Sequence, residues 1–349
     1  MDPLVLIGGV VGLLILLIAM SYKAISLLPY VYGATRLRAS RTRLMRKEEL
    51  VTLTSQSYKS AILKLEEKGH SNLLDFIDSD FREELVQKRI RELYIKELKR
   101  IEAYTPDVHK KFFEILENRE ELEFLISVVR SKINPFYGRH IIKDLFLETR
   151  FMKNLNLEKL ESMTLDEFLA YVKKSNYGMV VDKHCEDIKK GNITKFEQAI
   201  NEKYYHDLKV AAKMNPVLKE VAERFIDIHN IYHAAYFTSE KHFLSEGKLN
   251  SKTLNQLQKV LEIKDLVAIL EKTYLGDYVK NAKNINELLI ALYVELKDYA
   301  NQLLSQNPLG INQFVSYYIM KKIETKNIRT LLKLISVKFN PEEIKRYLI

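Results

Sequence analysis

ETKNIRTLL, residues 324–332, is the last of three similar stretches in this 349-residue chain. The earlier ones are DIHNIYHAA at 227–235 and ELEFLISVV at 121–129. In each stretch an acidic residue is followed four residues later by an aliphatic one, and then by two small or apolar residues three and four positions further on. That spacing is typical of one face of a helix. Because the acids are 106 and 97 residues apart, the pattern indicates three related units of about a hundred residues each.

A second repeated pattern precedes these helices and supports the same division. Three stretches share a Leu and a Tyr eight residues apart: LVTLTSQSY (50–58), LAYVKKSNY (169–177) and LVAILEKTY (266–274). Three like units in one chain can pack around a pseudo-threefold axis as a ring, a funnel or an arc. We therefore predict an N-terminal segment and three homologous helical domains, with the boundaries 1–28, 29–133, 134–237 and 238–349.

The composition predicts an all-α fold. Only 11 Gly and 7 Pro occur in the chain, and Leu, Lys, Glu and Ile, which favour helix, are abundant. Apolar residues follow helical spacing in REELVQKRIRELYIKELKRI (82–101) and in ELLIALYVELKDYANQLL (287–304). Cys185 is the only cysteine, so no disulfide can form within the chain.

Residues 3–22, PLVLIGGVVGLLILLIAMSY, carry no charge. Twenty helical residues extend about 30 Å, the thickness of the hydrocarbon layer of a bilayer. A signal peptide would start with basic residues and end in a cleavage site, whereas this segment follows Asp2 and lacks such a site. The basic residues follow it, so the positive-inside rule assigns residues 23–349 to the cytoplasm.

We therefore predict a single-pass transmembrane helix in the cell membrane, in contact with lipid through residues 3–22. Gly8 and Gly12 form a G-x-x-x-G pair within it. Such a pair allows another membrane helix to approach closely, although glycine is also common in membrane helices in general.

The stretch LLPYVYGATRLRASRTRLMRK, residues 27–47, holds six basic residues and no acid in its last twelve positions. Since the net charge is +9, most of the excess is local, which disfavours a nucleic-acid-binding face and predicts no nucleic-acid partner. Two other interpretations stay open from the residues alone. The stretch is either a basic collar on anionic lipid or a helix whose arginines meet acids of another subunit. Ala34, Leu37 and Leu44 give it a partly apolar face, which suits packing on protein.

Candidate catalytic residues are few. His229 and His233 lie one helical turn apart, a spacing that can bind zinc, but Asn230 stands where a zinc protease has its catalytic Glu. Cys185 follows His184, yet adjacent helical residues point in different directions. With no phosphate-binding or nucleophile motif in the sequence, we predict no catalytic residue, no metal and no cofactor.

Two stretches together resemble a known family. PYVYGATRLRASRTRLMRKEEL (29–50) and the C-terminal stretch 317–349 are similar to the C subunit of archaeal A-type ATP synthases, whose counterpart in vacuolar ATPases is the d subunit. The matching residues are Tyr30, Tyr32, Arg36, Arg38, Glu324, Asn327, Ile328, Arg329, Glu342, Glu343, Ile344 and Leu348.

The resemblance implies a non-catalytic central-stalk subunit of a rotary ATPase. Such a subunit is a funnel of three homologous helical domains that couples the central axle subunits to the membrane proteolipid ring. It implies a subunit interface at Tyr30, Tyr32, Arg36, Arg38, Arg41, Glu324, Asn327 and Arg329, and contact of Gly8 and Gly12 with ring helices. Two alternatives are a membrane-tethered helical scaffold unrelated to rotation and a metal- or thiol-dependent enzyme using His229, His233 or Cys185.

Overall fold

The computed structural model describes residues 3–70, 73–74, 83–134, 155–236, 242–307 and 309–349. Within these ranges the chain forms sixteen helices and no strand, which confirms the all-α prediction. The helices are α1 Pro3–Arg41, α2 Lys47–Leu53, α3 Tyr58–Glu67, α4 Glu83–Tyr104, α5 Asp107–Ile133, α6 Leu157–Ser162, α7 Leu165–Val172, α8 Gly178–Lys189, α9 Thr194–Ala212, α10 Pro216–Tyr236, α11 Ser251–Leu257, α12 Ile263–Leu270, α13 Gly276–Val279, α14 Ile285–Gln306, α15 Ile311–Ser336 and α16 Pro341–Tyr347.

Three pairs of long helices form the body. Short turns join α4 to α5, α9 to α10 and α14 to α15, so each pair is an antiparallel hairpin. α5 packs on α9, α10 packs on α14 and α15, and α15 packs on α4. Each hairpin therefore contacts both of the others.

Short helices precede each hairpin and connect it to the hairpin before it. α7 and α8 pack on α5, α12 packs on α10, and α2 and α3 pack on α15. The second long helix of one hairpin thus contacts the short helices of the next unit. In the same way, α15 of the last hairpin contacts the short helices of the first unit. Packing crosses the sequence-based boundaries, which themselves stay a prediction.

One turn occurs twice with the same hydrogen bonds. The hydroxyl of Ser175, after α7, and that of Thr273, after α12, each donate to the carbonyl oxygen three residues earlier, at 2.6 and 2.7 Å. Gly178 and Gly276 follow, and a Cβ on either would lie 2.2 or 2.3 Å from the carbonyl oxygen five residues earlier. The equal geometry at an interval of 98 residues supports a common origin for these two parts of the chain.

Buried acids hold the starts of the short-helix groups. Glu324 on α15 accepts the backbone N–H of Met45 at 2.7 Å, and Asp227 on α10 accepts those of Lys248 and Leu249 at 3.0 and 3.2 Å. Met45 directly precedes the N-cap of α2, and Leu249 directly precedes the N-cap of α11. These acids are two of the three that the repeated pattern identified, and both accept backbone N–H groups just before a short helix.

An asparagine three residues after each of these acids holds a second segment. The Asn327 side chain donates to the carbonyl of Ile349 at 3.1 Å and accepts from its N–H at 2.9 Å. Asn230 makes the same two bonds with Leu244, at 2.8 and 2.9 Å. An acid-x-x-Asn sequence on a long helix therefore satisfies the backbone of two extended segments at once.

The C-terminal half of α1 packs on α4 and α15. Gly33 makes this possible, because a Cβ there would lie 2.5 Å from both the Tyr104 carbonyl oxygen and Phe314 Cζ. Ala34 and Leu37 continue the buried face. α1 is bent by 48° between Leu16–Tyr22 and Leu27–Arg41, as expected when the ring of Pro29 opposes the carbonyl four residues earlier.

The predicted membrane helix over 3–22 is not confirmed. Among the described residues no single helix is long and apolar enough to cross a membrane, whereas the two arms of bent α1, Leu16–Tyr22 and Leu27–Arg41, together meet the requirements of length and composition.

We expect Gly33→Ala to destabilise the protein. Alanine normally stabilises a helix interior by about 1 kcal/mol relative to glycine, but here the added Cβ meets a backbone carbonyl that cannot rotate away. The free energy of unfolding should fall by about 1–3 kcal/mol in urea titrations. Thr35→Ala, on the exposed side of the same helix, should change it by about 0.5 kcal/mol or less. A Gly33→Ala protein that is as stable as wild type would contradict the close packing of α1.

We expect the free energy of unfolding to depend on pH through Glu324. Burial alone would raise its pKa, but Lys321 at 2.6 Å and His70 more than compensate and lower the pKa to about 2 from 4.5. Because the folded pKa lies below the unfolded one, ionised Glu324 stabilises the fold above pH 4.5, and this stability is lost as pH falls towards 2.

Glu324→Gln should lower the free energy of unfolding at pH 7 by about 3 kcal/mol, since Lys321 loses its partner. The variant should also lose less stability than wild type between pH 5 and pH 3. Glu342→Gln removes an exposed acid paired with Lys345 and should change stability by about 0.5 kcal/mol or less. Parallel pH profiles for Glu324→Gln and wild type would rule out this role.

Candidate functional site

The arginine-rich end of α1 presents a stacked row of side chains to solvent. The Arg36 guanidinium lies 5.3 Å from the centre of the Tyr32 ring, whose edge meets Tyr104 of α4 at 5.8 Å. Arg100, also on α4, lies 5.6 Å from the Tyr104 ring. Tyr32 itself is 60% exposed. The Arg36 guanidinium is thereby held at the surface by an aromatic ring, an arrangement suited to carboxylate recognition, whereas Arg100 is paired with Glu97 at 3.5 Å.

Tyr30 points the other way. Its hydroxyl lies 3.0 Å from Nε2 of His109, its ring meets the edge of Phe314 at 6.4 Å, and burial raises its pKa. Within the chain Tyr30 therefore joins α1 to the core.

Arg38 and Arg41 line a cavity of about 530 Å³ at the end of α1, which we call the basic cavity. Its cations are Arg38, Arg41, Arg46, Lys47 and Lys297. None of the five forms an ion pair with a carboxylate in the described ranges; Arg41 donates to the Asn301 side chain at 3.1 Å and Lys47 to the Leu348 carbonyl at 2.6 Å.

The electrostatics of the basic cavity favour an anion. Burial and the neighbouring Lys297 lower the pKa of Lys47, and burial lowers that of Arg41. Of the two acidic side chains that line the cavity, Glu324 is already paired with Lys321, and Glu48 is exposed and partly offsets the charge of Lys47. A carboxylate or phosphate entering the cavity would meet cations that form no direct ion pair within the described ranges.

The C-terminal residues of the predicted interface lie in different environments. Glu324 and Asn327 are each 3% exposed and hold Met45 and Ile349, so their observed role is to close the fold. Arg329 faces the other side of α15, where its Nε donates to Gln87 at 3.1 Å. As contacts to another subunit, these three residues stay a prediction.

Arg329 lines a second depression, which we call the α4–α15 groove. It has a volume of about 610 Å³ and lies between α4, α5 and α15. Sequence reasoning missed its lysines, Lys322 and Lys326, although the spacing of the cations at 322, 326 and 329 places them on one helix face.

The histidine pair is part of the packing. The rings of His229 and His233 are 4.4 Å apart, and His229 also packs on Tyr205 at 4.8 Å. Burial lowers the pKa of His229, and His233 and Arg119 lower it further. In the part of the chain that the structure describes, no three His, Cys, Asp or Glu residues come together as metal ligands.

Gly8 and Gly12 lie in α1, but their surroundings fall outside the described residues. The described apolar side chains that follow them are exposed: Leu13, Leu16, Leu17, Ile18, Met20, Ile25 and Leu28. Because successive helical residues point about 100° apart, this part of α1 is apolar on every side rather than along one stripe.

Comparison with known proteins identifies the family. The family described as ATP synthase (C/AC39) subunit matches residues 34–347. The C subunit of the A-type ATP synthase of Pyrococcus furiosus is 24% identical, with 93% of this chain and 92% of that protein aligned. The proteins of the same name from Methanocaldococcus jannaschii and Desulfurococcus sp. are 20% and 24% identical, covering 93% and 91% of this chain and 87% and 90% of their own. This chain belongs to the ATP synthase (C/AC39) subunit family.

Proposed function

We propose that this protein is a non-catalytic central-stalk subunit of an A-type rotary ATP synthase that couples the central axle to the membrane proteolipid ring. One observation carries the proposal beyond the family: α1 is a helix of 39 residues whose described apolar side chains between Leu13 and Leu28 are exposed, and whose C-terminal half packs closely on the body at Gly33. An element suited to the membrane is thus joined directly to the core.

Transfer of torque requires a stiff body. The contacts among all three hairpins and the hydrogen bonds of Glu324 and Asp227 support such stiffness, because they tie each unit to the next. The funnel we propose consists of three homologous domains around a pseudo-threefold axis, with a socket for the axle between the hairpins.

The arginines serve protein docking in this proposal. If residues 3–22 span the bilayer, the 48° bend of α1 after Tyr22 leaves Arg36 about 17 Å and Arg41 about 22 Å beyond the end of the span. Charges act over a Debye length of about 8–10 Å at physiological salt, so a lipid collar would need them closer. The row of Arg36, Tyr32, Tyr104 and Arg100, together with the basic cavity, suits an acidic surface of another subunit.

The apolar half of α1 is proposed to lie in the membrane as a single-pass anchor, with the bulk of the chain in the cytoplasm. A protein groove would need only one apolar stripe, whereas lipid surrounds a helix on all sides. Gly8 and Gly12 would then allow close approach to helices of the ring.

The docking role is tested by purifying the full-length protein in mild detergent and identifying what accompanies it by mass spectrometry. The tag belongs at the N-terminus, because Ile349 is 1% exposed. We expect nucleotide-binding subunits and a proteolipid to be recovered. Arg36→Glu with Arg38→Glu should reduce their recovery about tenfold through charge repulsion, and Lys213→Glu, an exposed site away from α1, should not. Recovery of an unrelated membrane complex instead would favour the membrane-tethered scaffold.

The membrane role is tested by fractionation. Full-length protein should stay with membranes in high salt, because apolar burial and not charge holds it. Leu13→Arg, near the middle of residues 3–22, should release it, since Arg at the centre of a membrane helix costs about 2.5–3.5 kcal/mol. Val210→Arg, which is exposed in the body, is the matched control. Release of the wild-type protein by salt alone would support the basic collar instead.

A further inference from the structure

The α4–α15 groove has more positive than negative charge. Its lining includes five cations, Arg91, Lys322, Lys326, Arg329 and Lys333, and three carboxylates, Glu83, Glu120 and Glu123. Each carboxylate already has an ion-pair partner: Glu83 pairs with Lys333 at 2.9 Å, Glu120 with Arg91 at 3.1 Å and Glu123 with Arg119 at 3.1 Å. Each acid of the groove therefore has a direct ion-pair partner, and none of these partners is Lys322, Lys326 or Arg329.

Lys326 and Arg329 carry this excess. Neither forms an ion pair within the described ranges: the Lys326 ammonium lies over the Tyr293 ring at 3.7 Å, and Arg329 donates to the Gln87 amide. Burial lowers the pKa of both, and so does a like charge next to each, Lys322 beside Lys326 and Arg91 beside Arg329; Tyr293 opposes this shift at Lys326, and the groove glutamates oppose it at Arg329.

Lys322 differs from these two. Burial lowers its pKa, but the nearby tyrosines and the carboxylates of Glu120 and Glu123 more than offset this and hold the pKa above its usual value. Half-buried cations without a counterion cost folding free energy. Carboxylates within the chain therefore partly offset the charges of Lys322 and Arg329, whereas Lys326 lies against the Tyr293 ring and forms no ion pair within the described ranges.

We propose that the α4–α15 groove binds an acidic helix of a partner protein. Lys322, Lys326 and Arg329 lie at i, i+4 and i+7 on one face of α15 and extend over about 10 Å. One phosphate group is too small to contact all three, whereas carboxylates at the same spacing on a second helix would meet each of them. The proposal concerns the chemistry of this surface and does not depend on the rotary assignment.

The test uses full-length protein in detergent and a fluorescein-labelled alanine-based peptide helix with Glu at i, i+4 and i+7. Fluorescence anisotropy should detect binding that weakens as salt increases. Lys326→Gln should weaken it about tenfold, and Lys326→Arg should restore it. Two controls are Lys174→Gln, at an exposed lysine outside the groove, and a peptide with Gln in place of Glu.

Thermal unfolding separates binding from folding. Because Lys326 forms no ion pair within the described part of the chain, Lys326→Gln should leave the melting temperature unchanged or raise it in the absence of peptide. The proposal is overturned if the peptide shows no charge-dependent binding up to about 1 mM or if Lys326→Gln binds as wild type does. It is also overturned if inorganic tripolyphosphate raises the melting temperature through Lys326 while the peptide does not, since the groove would then be a small-anion site.

Discussion

The hydrogen bond between a buried carboxylate and the backbone N–H of a distant segment is the constraint on which this fold depends. Glu324 and Met45 are 279 residues apart in sequence, so their contact joins the first short helices to the last hairpin. Asp227 does the same between the second hairpin and the third group of short helices. Sixteen described helices could pack in many arrangements. Those that bury either carboxylate without hydrogen-bond donors are disfavoured by several kcal/mol, so these bonds favour the observed arrangement.

The hydrogen bond from Met45 to Glu324 fixes the position of α15 in the fold. One face of α15 carries Glu324 and Asn327 and borders the basic cavity, while the opposite face carries Lys322, Lys326 and Arg329 and lines the α4–α15 groove. A ligand on either side of this helix of 26 residues would therefore act on the same rigid element. Such a helix is a direct mechanical connection between α1 and the groove, which is the property that the proposed coupling function requires.

These contacts between distant segments also explain why the groups of helices that pack together differ from the units that repeat in sequence. The pattern of acids predicts units that are contiguous in sequence, and the equal turns at Ser175 and Thr273 agree with it. In space, however, short helices of one unit also pack on the second long helix of the preceding unit. Local periodicity reports which face of a helix is apolar, but not which other helix covers that face.

Sequence alone predicted the all-α class, the repeated acids, the arginine-rich helix and the family, because each depends on residue type and spacing within a few turns of helix. It did not predict that Tyr32 faces solvent while Tyr30 contacts His109, or that Asn327 holds Ile349. It also missed the groove formed with Lys326. Those outcomes depend on segments tens to hundreds of residues away, since only a packed neighbour decides which face of a charged helix is buried. The helices and their repeated acids were thus determined by the sequence itself, and the tertiary structure decided which acids close the fold and which cations line the α4–α15 groove, because burial depends on the neighbouring helix.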